Sequence, residues 1–107
     1  MTNSTEKLHM YESGWEFGRK LGDTVVKQFG ERLTDADVTP VGAIISSNIV
    51  QTQDFMRGEG VDEDLLRIWF DAAIAGNRSR LEEFGDNLLA CALPASTDTA
   101  PAALLRA

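Results

Sequence analysis

VTPVGAIISSNIVQTQ, residues Val38 to Gln53, carries no ionisable side chain in a chain where one residue in four is Asp, Glu, Lys or Arg. The segment opens with Thr39-Pro40, an N-cap hydroxyl followed by a ring that pre-sets φ at the first helical position. Val41, Ile44, Ile45 and Ile49, then Phe55 and Met56, recur at three- and four-residue steps, so the segment reads as a helix over 39–57 that Gly58 and Gly60 stop. Surface helices carry charge on their outer side. A helix without any before Asp54 is therefore expected to be covered on more than one side, partly by a second polypeptide.

Helical spacing continues on both sides of this segment. Leu8, Tyr11, Trp15, Leu21, Val25 and Phe29 predict an amphipathic helix over 5–33, either continuous or kinked at Gly14. Asp62, as N-cap, precedes Leu65, Leu66, Ile68, Trp69, Phe70 and Ile74, a third helix over 62–75 that Gly76 is placed to end. Ser79-Arg80-Leu81-Glu82 has the spacing of a capping box and predicts a fourth helix over 79–93, stopped by Pro94. No stretch alternates with period two. The expected fold is all-α, a small antiparallel four-helix bundle over residues 1–93 with residues 1–4 disordered, followed by a flexible, disordered Ala/Pro/Ser/Thr tail over 94–107.

Gly14, Gly18 and Gly22 lie four apart and so on one side of the first helix. Each costs roughly 1 kcal/mol relative to alanine in a helix interior. A close backbone approach is the natural compensation, with the small residues Gly42, Ala43, Ser46 and Ser47 of the central helix as its expected counterpart. Trp15 and Phe17 point about 200° apart around a helix, so the core cannot take both in one groove. A tryptophan left over, Trp15 or Trp69, is then a candidate interface anchor.

Composition narrows the chemistry. At 107 residues the chain is one domain. Its net charge of −7 is uneven: five acids balance five bases over 1–33, whereas 34–93 hold eleven acids against four bases. That surplus repels phosphate, so nucleic acid is not an expected partner. Ala72 to Arg80 superficially follows a helix-turn-helix turn, but Asn77 stands where an apolar residue is usual, and Glu82, Glu83 and Asp86 would face the phosphates. The lone His9 and lone Cys91 supply neither a triad nor a structural zinc site, and Cys91 reads as a small core residue. Asp54, Glu59, Asp62 and Asp64 cluster without the ligand order of an EF-hand. No catalytic, cofactor or metal residue is expected, and Ser46, Asn48 and Gln51 as a polar ligand pocket lack any nucleophile–base pair. The N-terminal MTNSTEKLHMYE has no basic start followed by an apolar run, and the uncharged segment is too short and too polar to cross a bilayer.

The expected protein is cytoplasmic and not an enzyme. It is an interaction module, acting as an adaptor, a chaperone-like protein or an accessory subunit. Its partner is another protein or itself as a homodimer, with contact through Gly14, Gly18, Gly22, Trp15, Ala43, Ser47 and Trp69. The alternative is an acidic inhibitor that imitates nucleic-acid charge at a partner's basic site.

Overall fold

Apolar periodicity becomes four α-helices in a computed structural model, which describes residues 4–94: α1 Ser4–Gln28, α2 Val38–Gly58, α3 Glu63–Phe84 and α4 Asp86–Leu89. Two single 3-10 turns, Gly30–Arg32 and Asp35–Asp37, join α1 to α2. Residues 1–3 and 95–107 lie outside the described part, so the expected tail does too, apart from Pro94. Ser4, expected to be disordered, is the first residue of α1.

α2 stops at Gly58, with Gly60 at a φ of 91° just beyond, as expected, but the other expected glycine breaks do not occur. α1 runs unbroken through Gly14, Gly18 and Gly22 and ends before Gly30, whose φ of 46° lies in the left-handed region where a side chain would be strained. α2 begins one residue before Thr39. The Asp37 carboxylate accepts hydrogen bonds from the Thr34 N–H at 2.9 Å and the Thr34 hydroxyl at 3.0 Å, which closes the preceding turn. Those two donors hold the Asp37 carboxyl below the usual carboxylate range, the backbone N–H contributing most.

α3 does not stop at Gly76. It continues through Ser79 to Phe84 and breaks at Gly85, so the expected third and fourth helices are largely one, and only four residues remain for α4. The physical reason is visible at both supposed signals. Gly76 is helical, and its missing Cβ admits the Trp15 backbone: a Cβ there would lie 2.9 Å from the Trp15 carbonyl carbon and closer still to its oxygen. The Ser79 hydroxyl, instead of capping a helix start, accepts a hydrogen bond from Arg19 Nη1 at 3.1 Å.

Helix directions follow from these contacts. Gly14 faces Trp69 and Ala72, Gly18 faces Ala73 and Asn77, and Gly22 faces Arg80. The sequence number rises together on both helices, so α1 and α3 are parallel. α2 is joined to α1 through the two 3-10 turns and to α3 through residues 59–62. Gln53 Nε2 ties it to the Leu66 carbonyl at 3.3 Å. The most extensive interface is α1 on α3. The core between the helices holds Val25, Val41, Ile45, Ile49, Trp69, Ala73, Ile74 and Leu81, closed at one side by Leu88 and Cys91. Arg78 Nη1 holds the segment after α4 by donating to the Leu93 carbonyl at 3.0 Å.

Ion pairs frame the seams. Arg19 meets Glu83 at 2.9 Å, Arg80 meets Asp23 at 3.1 Å, and Arg57 holds both Asp54 and Glu63 at 2.7 Å around the α2–α3 turn. The Lys27 and Arg80 hydrogen bonds lower the Asp23 pKa, the Arg19 hydrogen bond lowers that of Glu83, and the Arg57 hydrogen bond lowers that of Glu63. A carboxyl with a folded pKa below its unfolded value contributes stability above the unfolded pKa and loses it as pH falls through the folded one. The urea midpoint should therefore be level near neutral pH and fall below about pH 4, where an unperturbed carboxylate begins to protonate. Because acid also relieves the self-repulsion of a −7 chain, the clean measurement is a difference. Glu83→Gln should lose stability at pH 7 and show a shallower acid fall than the parent. An equal or steeper fall would contradict the pairing.

Candidate interaction surfaces

The glycine row is a contact surface, and its occupant belongs to the same chain. An ideal Cβ at Gly18 would lie 2.7 Å from the Asn77 nitrogen and 2.8 Å from the Ala73 carbonyl carbon; at Gly14 it would lie 3.0 Å from the Ala72 Cβ. Gly14, Gly18 and Gly22 are buried. Small residues on both helices (Ala72, Ala73 and Gly76 on α3) let the two backbones meet directly. Asn77 sits at this crossing, 1% exposed, its Nδ2 donating to the Gly18 carbonyl at 3.4 Å. α2 is not the counterpart of the row, as expected from Gly42, Ala43, Ser46 and Ser47. Gly42 instead approaches the Cys91 carbonyl.

The tryptophans separate in the same way. Trp69 is 2% exposed and packs on Phe17, ring centroids 5.1 Å apart. It is a core residue. Trp15 has its backbone against Gly76 and its ring on the flank of α1, partly exposed, stacked on Tyr11 with centroids 6.5 Å apart and planes inclined by 19°. Burial pushes the Tyr11 hydroxyl pKa up.

What the intramolecular packing leaves uncovered is the outer side of α2. Val41, Ile45 and Ile49 fill its inner face. The opposite side carries Pro40, Ala43, Ile44, Ser47, Val50, Gln51 and Phe55, all exposed, with Ile44 at 50% and Phe55 at 68%. Among the described residues, the rest of the chain thus encloses only the inner side of the uncharged segment. The polar groups on and beside this side are turned back on their own helix. Gln51 Nε2 donates to the Ser47 hydroxyl at 3.0 Å, and Asn48 Nδ2, at the edge, to the Ile44 carbonyl at 2.8 Å. Groups already bonded within the helix lose less when water is removed. Ala43 and Ser47 therefore share one exposed side with Ile44 and Phe55, while the candidate glycines and Trp69 lie inside the fold. Sequence reasoning missed Ile44, Val50 and Phe55 as surface residues because helical spacing alone does not say which apolar side is covered. The signal was present: apolar residues occur on nearly all sides of α2, more than one core-facing stripe needs.

Chemistry-bearing groups do not converge. His9 is exposed near the start of α1. Cys91 is buried, and its thiol pKa is raised by burial and then by the charge of Asp37, the opposite of what a nucleophilic thiolate requires. Among the described residues, no three His, Cys, Asp or Glu side chains are grouped as metal ligands, and no helix is long and apolar enough to cross a membrane.

Fold and surface together define an all-α helical bundle with one uncharged helix face turned outward. No known protein family, curated protein or solved structure matches this chain.

Proposed function

We propose that this protein is a non-enzymatic, cytoplasmic interaction module that self-associates through the outer side of α2, serving as an adaptor, chaperone-like or accessory subunit. The observation that carries the reading is the exposure of Ile44 and Val50 on a helix side without charge from Pro40 to Gln53, with Phe55 exposed just past its end. In a two-fold contact each side chain meets its own kind or a symmetry-related one, so copies of a −7 chain meet at least cost where charge is absent. Small Ala43 and Ser47 at a crossing let two α2 helices approach closely. An antiparallel pair centred on Ser47 sets Ile44 opposite Val50 of the other copy. It also carries Asp54 towards the other helix's start at Thr39-Pro40, where the helix dipole favours a carboxylate.

Sedimentation velocity from about 5 to 500 µM tests this, a range that brackets weak and moderate dimer affinities. The parent chain should shift to a dimer. Ile44→Asp or Phe55→Asp should weaken the dimer by about 30-fold or more, the size expected for a hot-spot loss of roughly 2 kcal/mol, with an unfolding midpoint unchanged at concentrations where both parent and variant are monomeric. A strict monomer throughout would overturn self-association. The acidic-inhibitor alternative makes the contrary prediction of partner affinity that collapses with salt, whereas an uncharged contact should hold.

A further inference from the structure

An open groove of about 420 Å³ lies on the outer flank of α1, lined among the described residues by Tyr11, Trp15, Glu12 and Glu16. It is separate from the buried glycine seam and from α2. Its wall is the pair of stacked rings, and Leu8, 52% exposed, continues the apolar surface one turn earlier. Glu12 and Glu16 are exposed and, among the described residues, make no ion pair, although Lys20 lies one turn beyond Glu16; Arg19 is committed to Glu83. We propose that this groove recognises a basic side chain flanked by aliphatic ones on a segment of another protein.

Charge and shape both select that occupant. Aromatic faces attract a cation, arginine above all, and two carboxylates beside the rings supply the counter-charge. An anionic segment would be repelled. A wholly apolar one would strip water from Glu12 and Glu16 and give them no partner. A second copy packed here across a two-fold axis would bring the same two carboxylates face to face. The lining residues all belong to α1, so binding here is independent of pairing through α2 and Phe55→Asp should leave it intact.

The test titrates the full-length chain with acetyl-Leu-Arg-Leu-amide and, separately, acetyl-Leu-Glu-Leu-amide, following the Trp15 indole and backbone amides by NMR. The arginine peptide should shift Tyr11, Glu12, Trp15 and Glu16 saturably at millimolar concentration, the glutamate peptide should not, and affinity should drop by about threefold or more between about 20 and 200 mM salt. Glu12→Gln combined with Glu16→Gln should weaken the arginine peptide by about threefold or more and leave the parent spectrum otherwise folded. Absence of any shift, equal shifts with both peptides, or indifference to the glutamine pair would overturn the proposal. So would a Trp15 signal that moves with protein concentration alone, which would assign the groove to a second copy, or one that moves on Arg106→Glu, which would assign it to the chain's own residues beyond Pro94.

Discussion

Replacing Gly18 by alanine should destabilise the fold by about 3 kcal/mol net, even though alanine is the better helix former by roughly 1 kcal/mol. The added methyl would stand 2.7 Å from the Asn77 nitrogen and 2.8 Å from the Ala73 carbonyl carbon. Both belong to the backbone of α3, which has no rotamer to move into, so the helices must separate. For a chain of this size, roughly 4–8 °C per kcal/mol makes the loss a fall of about 12–24 °C in Tm. The effect should be graded by what each glycine meets. Gly14 and Gly76 also face backbone and should approach Gly18 in cost, whereas Gly22 meets the Arg80 Cβ at 2.9 Å and Cγ at 3.0 Å, looser contacts than those at Gly18, and should cost less. Gly58 has nothing within 4 Å. Gly58→Ala should therefore change sign and stabilise by about 0.4–1 kcal/mol, the gain from a stiffer unfolded chain. Thermal unfolding of the five variants checks the order. A row in which Gly18→Ala is neutral or stabilising would remove the close α1–α3 approach.

Trp69→Ala should cost about 3–5 kcal/mol, because the ring is buried at the centre of the three long helices and the space it leaves cannot collapse around Phe17. Trp15→Ala, by contrast, removes a partly exposed ring stacked on one neighbour and should cost about 1 kcal/mol. The two substitutions are alike in sequence and opposite in location, so chemical denaturation separates them directly. Comparable losses would mean that Trp15 is as deeply packed as Trp69.

Much of this fold was legible in residue spacing. α1 and α2 follow their apolar periods, and the start of α3 after Asp62 is where the acidic first turn places it. The glycine row signalled a close helix approach before any coordinates. Its partner was not legible, because small-residue runs occur on both candidates: Gly42, Ala43, Ser46 and Ser47 on α2, and Ala72, Ala73, Ala75 and Gly76 on α3. Periodicity gives each helix a face but not the neighbour of that face. The misplaced boundary at Gly76 has a related cause. A glycine in a helical run reads equally as a stop or as a place for another backbone, and only the Trp15 carbonyl lying against it decides for the second. Gly30, which does end α1, gave no stronger local signal; its left-handed φ is set by the turn into α2. The uncharged segment, finally, announced an unusual environment but not its direction. Its inner side faces the core as expected, and its outer side faces solvent.

α1 and α3 of one chain meeting through their backbones is the claim on which the rest stands, since it consumes the glycine row internally and leaves α2 as the face available to others. An isotope-filtered NOE experiment on a mixture of labelled and unlabelled chains tests it. Contacts from the Gly18 α-protons to Ala73 and the Asn77 amide should be strong within uniformly labelled protein and absent from the spectrum filtered for contacts between chains. Their appearance between chains would show that the glycine row binds a second copy instead.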